Sequence, residues 1–368
     1  MSATAEHPEL AELSHALLHV PPALRQLAIS PLARFARDHR TFAVDVIEVL
    51  LTYLRMPPPE EPGDQRDADL DARDDAVALL SRLLARDGLM MPPRLHALDG
   101  VHLGAHARFS GITFRYPAPL AEARCAGAVV FDGCTFVDGT RTPGTRVPPS
   151  IRLLRDAEVH ALVLRQCRWR GTLRLAGMRS PTPHVPSVRL FSCSGDALQV
   201  SRMTLRALTL RSLRTRSVLL ADVGVDSIDV VATTCASSLE VRDARAERIG
   251  LTGVAADRLA IRGAIVGSPG LRLKGCSSAD QHLAALTVVG PLTLADSVTL
   301  RARWRDVSAS ALDIRRLLVG GGGDDEGWLN GRVSLGAPVF GALDPGSHEP
   351  EQPFETPFGP MFLRVWRE

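Results

Sequence analysis

Lysine is almost missing from this chain: Lys274 is the only one, and arginine carries nearly all of the positive charge. The bias is read as base composition before any demand for planar, bidentate recognition. Aromatic residues are scarce at 5%, which is low for a compact enzyme core and suits a narrow interior filled by aliphatic side chains. Net charge is nearly absent as well, with 43 Lys+Arg against 41 Asp+Glu giving +2. That balance supports neither a nucleic-acid binder driven by overall charge nor a strongly acidic mimic of nucleic acid. No run approaches the roughly 18 apolar residues of a membrane span. The first ten residues lack the basic and apolar regions of a secretory signal. No C-x-x-C pair occurs among Cys125, Cys134, Cys167, Cys193, Cys235 and Cys276. A reduced, cytoplasmic protein with no cofactor is the expectation.

What is present changes period along the chain. Leu10, Leu13, Leu17 and Leu18 follow a helical spacing that ends at Pro21 and Pro22. A second helix carries Leu24, Leu27, Ala28, Leu32 and Phe35, with Pro31 expected to kink or divide it. A third is expected from Thr41 as N-cap through Tyr53. The proline-rich, charged stretch from Met56 to Asp67 reads as an exposed loop. A fourth helix follows, with Ala76, Leu79, Leu80, Leu83 and Leu84 on one face, stopping near Gly88.

From about Leu98 apolar residues fall in pairs two apart, and the pairs recur every five or ten residues. Leu198/Val200, Met203/Leu205 and Leu208/Leu210 are followed by Val218/Leu220, Val223/Val225 and Ile228/Val230. After one extra residue come Leu239/Val241, Ala244/Ala246, Ile249/Leu251 and Leu259/Ile261; Leu271/Leu273 arrives two residues late. Alternation alone implies strands. A fixed five-residue return implies that the chain turns a corner after each pair, so four sides close a coil of about twenty residues that stacks on the last. A helix is excluded, because a five-residue step turns a helical position by about 500° and scatters the apolar set.

The fold class expected is therefore mainly β, a right-handed parallel β-helix with a small N-terminal α-helical cap. Residues 1–93 form the head, 94–316 the solenoid and 317–368 a Gly/Pro-rich tail or cap. Insertions are expected at Tyr116–Gly127, Val137–Ser150, Gly177–Pro186 and Ser277–His282.

Several segments resemble the pentapeptide-repeat family. Ala107 before Phe109, Ile112 before Phe114, Val129 before Phe131 and Cys134 before Phe136 match its central Phe preceded two residues earlier by a small or apolar residue. Later coils place Leu, Ile or Val where Ala or Cys is usual, which implies a wider, bulged cross-section. The segments Arg25–Ile29, Phe35–Asp38, Val46–Leu50 and Tyr53–Arg55 look like the helical segment before the repeats in actinobacterial members. Some members of the family act as DNA mimics on type II topoisomerases, which makes such a role one implied alternative.

Candidate chemistry is thin. The six cysteines recur at related inward slots and read as small apolar fillers before a metal or redox ladder. His102 and His106 stand four apart, but on strand and corner rather than helix, and read as surface residues. The run Gly320–Gly323 followed by Asp324, Asp325 and Glu326 lacks the Lys-Ser/Thr of a phosphate loop and reads as a linker. A β-helical polysaccharide lyase or hydrolase needs converging carboxylates. Asp222, Asp226, Asp229, Glu240, Asp243 and Glu247 fall instead at outward positions, and Trp169 and Trp304 are the only tryptophans of the solenoid.

The remaining surface signal is charge: Arg202, Arg206, Arg211, Arg214 and Arg216 crowd adjoining coils, and the acidic set follows directly. A basic band beside an acidic one steers a partner. The expectation is a non-catalytic protein-interaction module with an unknown protein partner, nucleic acid disfavoured, no membrane span, and homodimerisation through the head open.

Overall fold

The computed structural model describes residues 7–85, 95, 97–138, 149–181 and 184–319, and the backbone of three further strands, Trp328–Ser334, Gln352–Thr356 and Gly359–Leu363. The Gly320–Glu326 run, Gly88 and most of the C-terminal tail lie outside the described residues. The chain divides into two compact units, Met1–Pro186 and Ser187–Glu368. The first holds four helices and parallel strands; the second is built of strands, and in both the strands coil as a right-handed parallel β-solenoid. No helix among the described residues is long and apolar enough to cross a membrane.

The helices are α1 (Pro8–His19), α2 (Pro22–Asp38), α3 (Ala43–Arg55) and α4 (Asp64–Leu84). Pro31 does not divide α2, which continues through it. Thr41 is not an N-cap: Arg40–Phe42 form a 3-10 turn that runs straight into α3. Helix α4 starts within the segment expected to be loop, because Asp64 and Asp67 suit the positive end of the helix dipole.

Charge is buried where the helices meet. Arg73 and Asp69, one turn apart on α4, are both fully buried and pair at 2.7 Å. The second Asp69 oxygen accepts from Arg25 at 2.7 Å and from the Tyr53 hydroxyl at 3.0 Å. Arg73 also donates to the carbonyls of Met56 and His102, both at 2.8 Å, so one guanidinium ties three segments.

Helix α4 seals the first coil. The strand His106–Ser110 would present unpaired N–H groups, the usual hazard of a sheet edge. Asp74 accepts the His106 N–H at 2.9 Å, and the Ser81 hydroxyl accepts the Ser110 N–H at 2.9 Å. Asp74 and Ser81 stand two helical turns apart, so both side chains face the same strand. Such close approach requires Gly104, where a Cβ would fall 2.3 Å from Asp74 Oδ1 and 2.5 Å from the Leu70 carbonyl. The head thus packs on the first coil of its own chain.

In the first unit the coils stack in columns. His102 pairs with Arg124 and Thr113 with Thr135, so both sides return at the same spacing. The next return, from Thr135 to Arg168, is longer by half a coil. Its extra length falls between Phe136 and Ser150; residues 139–148 of the insertion expected at Val137–Ser150 lie outside the described residues. Tyr116–Gly127 is not an insertion, since Leu120–Ala121 and Arg124–Asp132 are strands of a regular coil. Pro117 and Pro119 hide the alternation there without breaking the coil. Phe109 stacks on Phe131 (5.2 Å, 17°) and Phe114 on Phe136 (5.4 Å, 11°), with edge contacts between the two stacks. Leu164 and Trp169 extend these columns upward.

In the second unit the pairing between successive coils runs Ala197–Ser201, Met203–Leu205 and Ala207–Arg211, with breaks at Asp196, Arg202, Arg206 and Ser212. Each coil therefore has four sides, with five-residue sides alternating with shorter ones. The interior columns are aliphatic: Leu190, Leu210, Val230, Leu251, Leu273 and Leu294 share one, and all are fully buried. Ser277–His282 is not an insertion but runs round a regular corner, with Ser277–Ser278 paired to Ala255–Ala256 and Asp280–His282 to Arg258–Ala260. The extra chain sits earlier, where the register jumps from Ala246↔Val266 to Arg248↔Gly270. That bulge, at Gly267–Gly270, is what delays the Leu271/Leu273 pair. At the far end Trp328–Ser334 pairs antiparallel with Ala311–Leu318.

Two corners per coil take the left-handed conformation. One column is Ser192, Ser212, Ala232, Gly253, Gly275 and Asp296; the other is Arg202, Asp222, Asp243, Gly263, Ala285 and Asp306. Ala232, at φ 49°, has neither a glycine's freedom nor an Asp side chain's local bonding. Ala232→Gly relieves strain of about 1–2 kcal/mol against about 0.5–1 kcal/mol of added chain entropy. A net gain of about 0.5–1 kcal/mol is expected in denaturant unfolding, with Ala232→Val moving the other way.

Candidate interaction surface

The long side of the second unit that contains Leu239/Val241 turns alternate residues outward, and register fixes which of them meet. Ser217, Ser238, Arg258 and Asp280 form one outward column. Leu219, Glu240, Ala260 and His282 form the next, and Ala221, Arg242, Arg262 and Ala284 the third. The next coil sets the Thr299 hydroxyl 3.2 Å from that of Ser278, and the same step carries the columns on to Arg301, Arg303 and Arg305. These three are exposed and alternate with Ala302 and buried Trp304.

The result is an arginine-rich face around an imidazole. Arg262 Nη2 lies 2.8 Å from His282 Nδ1. Burial lowers the His282 pKa, and Arg262, Arg258 and Arg303 push it down further, with Asp280 opposing them. A neutral imidazole among three guanidiniums follows. Carboxylates are few: Glu240 binds Arg242 at 2.7 Å and lies 3.9 Å from Arg262, and the bond from Arg242 holds its carboxyl below the usual range. Arg258, Arg301 and Arg303 form no ion pair among the described residues. Arg262 Nε and Asp280 Oδ1 are buried without a hydrogen-bond partner there. The unpaired Arg262 Nε is a donor that suits a carboxylate or phosphate, which a guanidinium meets with two bonds, whereas Asp280 Oδ1 is an acceptor.

The five arginines singled out from sequence are all exposed, but they do not form one face. Arg202 is itself a left-handed corner, and Arg211 and Arg214 flank the Ser212 corner half a coil away. Arg206 and Arg216 sit at the two remaining breaks in the pairing. The acidic residues expected beside them stand above them: Arg202 shares a corner column with Asp222 and Asp243, and Arg206 is followed by Asp226. The acids are also dispersed, with Asp229 held by Arg248 at 2.9 Å. Reading along the chain missed the face at His282 because its members come from successive coils of unequal length. Stacking, not sequence proximity, brings them together.

All six cysteines are buried thiols outside any disulfide, at inward slots. Burial pushes the Cys125 and Cys235 thiols up to about 12, which disfavours the reactive thiolate. Cys134 is held below its ordinary value by a hydrogen bond with Cys167 in the next coil. His102 is half-buried on a strand, and His106 is exposed with its backbone N–H spent on Asp74.

Comparison with family models, with curated proteins and with solved structures found no match.

Proposed function

We propose that this chain is a non-catalytic protein-interaction module of the pentapeptide-repeat type, docking an acidic protein surface on the face formed by Arg258, Arg262, His282 and Arg303. The observation that carries this reading is the convergence of those four groups from three successive coils, with Arg258 and Arg303 unpaired among the described residues. A stacked solenoid holds them on a stiff frame, so little conformational entropy is lost when a partner binds. The mixing of Arg202 with Asp222 in one column weighs against a topoisomerase-directed DNA mimic, which needs an unbroken negative rod. The pairing of Asp229 and Glu240 with arginines weighs against a polysaccharide-cleaving site.

The test is an affinity capture from a lysate of the source cells with two charge-reversed baits beside the parent. One carries Arg258→Glu, Arg262→Glu and Arg303→Glu; the other carries Arg206→Glu, Arg211→Glu and Arg214→Glu. A partner lost with the first and kept with the second is the expected result. One kept by both, or lost only with the second, overturns the assignment, and a nucleic acid recovered in place of a protein overturns the partner class. Binding is expected to weaken as salt rises.

The pH dependence has a definite sign. His282 is neutral in the free protein to lower pH than usual, and an acidic partner favours its protonated form. Binding takes up a proton, so affinity rises as pH falls from about 7.5 towards about 6. His282→Ala should flatten that profile and leave the salt dependence in place.

A further inference from the structure

The head carries a second grouping that the interaction surface does not use. His7 is the N-cap of α1, yet its side chain makes no capping bond, and its Nδ1 is buried without a hydrogen-bond partner. Capping positions favour short oxygen-bearing side chains that bond the first-turn N–H groups, so an imidazole here contributes nothing to the helix as a cap. Glu9 lies in the first turn of the same helix. His39 is the C-cap of α2, fixed by its N–H bond to the Phe35 carbonyl at 2.8 Å. Two helix ends distant in sequence therefore bring three donor side chains together. Their ligand atoms all lie within 4.8 Å of one another.

The surroundings hold the rings in place. The His7 and His39 rings have centroids 4.9 Å apart. Phe35 packs edge-on against His7 at 4.8 Å and tilted against His39 at 4.6 Å, and Phe42 closes the His7 side at 5.4 Å. Both imidazoles thus pack against Phe35, with a Glu9 carboxylate oxygen within 4.8 Å of a nitrogen of each. Bonds of about 2 Å in tetrahedral geometry place ligand atoms roughly 3.3 Å apart, so modest side-chain rotations close the set.

We propose that His7, Glu9 and His39 form a binding site for a divalent transition-metal ion of the zinc kind, with a fourth position left for water or a group from a partner. Two imidazoles and one carboxylate select zinc, cobalt or nickel over calcium or magnesium, which take oxygen donors. The ion's effect would be structural. Helix α1 buries only Leu10 and Leu17 fully, and a metal bridging its first turn to the end of α2 would fasten it to the rest of the head. The competing reading is a pair of histidines packed against phenylalanine beside a solvated carboxylate.

The two readings separate in a titration of the full chain, freed of any histidine tag and dialysed against chelator, with zinc chloride followed by calorimetry. Cobalt(II), followed by visible absorption, reports the geometry. One zinc per chain at micromolar affinity or better is expected, with cobalt giving the intense bands of a four-coordinate ion. His7→Ala and His39→Ala should each weaken zinc by about 100-fold. Glu9→Gln, an exposed change that leaves packing alone, should weaken it by about tenfold and shift the cobalt bands. This third variant keeps the test decisive if a histidine replacement disturbs the head. A double change of His15 and His19 to alanine, removing the neighbouring pair whose rings lie 4.9 Å apart, should change nothing. No binding with zinc at about 1 mM, binding unaltered by Glu9→Gln and His39→Ala, or loss only in the His15/His19 variant would each overturn the site.

Discussion

Replacing Asp69 by alanine is expected to destabilise the helical head by about 3–5 kcal/mol in denaturant unfolding. The carboxylate is fully buried and answers two guanidiniums, Arg25 and Arg73, each at 2.7 Å. Burial raises the Tyr53 hydroxyl's pKa, so that group stays a neutral donor and supplies no replacement charge. Without Asp69, two cations face each other in a space with little water, and the cost is that of leaving them there rather than of losing one bond. The damage should spread to the solenoid edge, because Arg73 also holds the His102 carbonyl. Amide exchange at His106 and Ser110 is therefore expected to accelerate, although neither touches Asp69. A triple change of Asp69 to Leu with Arg25 and Arg73 to Met removes the charges together and should recover most of the loss. If Asp69→Ala unfolds within about 1 kcal/mol of the parent, the buried network does not carry the head.

Leu210→Asp is expected to be comparably severe, costing several kcal/mol and exposing the second unit to proteolysis. Leu210 is fully buried between Leu190 and Val230 in a column of aliphatic side chains. No cation among the described residues shares that column, so the carboxylate must go uncharged or force the coil open. Leu210→Ala separates charge from volume: the cavity alone costs about 2–5 kcal/mol, towards the lower end if neighbouring coils collapse onto it. A Leu210→Asp variant that unfolded like the parent would place this residue on the surface and undo the inward assignment of its whole series.

The coil was legible because its interior repeats. Pairs such as Leu208/Leu210 and Ile228/Val230 recur at a spacing that only a turning chain satisfies, and every residue of that series is buried. What the alternation does not encode is coil length. Returns that differ slightly in length look alike when read along the chain: the late Leu271/Leu273 pair marks the bulge at Gly267–Gly270, but the further insertion expected at Ser277–His282 does not exist. The arginine-rich face was hidden for the same reason, since Arg258, His282 and Arg303 become neighbours only once each return is known.

Corners and caps were harder still. Glycine is the signal for a left-handed residue, but this chain sets Arg202, Ala232, Gln166 and several aspartates there. The stack above and below fixes those conformations, overriding local preference. In the head, Asp69 and Arg73 have the spacing of an ordinary surface pair, and nothing local reveals that both are buried. Asp74 and Ser81 likewise resemble solvated helix residues until the strand they serve is in place.

The longer return between Thr135 and Arg168 has a practical consequence. Above it, Ser150 pairs with Thr172 at the ordinary spacing again. About half a coil of extra chain lies between the sides at Phe136 and Ser150, and the described strands beyond it keep their register, because a solenoid transmits register through its sides and not through its corners. That junction is a natural grafting port. A foreign peptide of similar length should be accepted there and displayed, whereas a single residue added within Ala207–Arg211 would turn an entire side inside out.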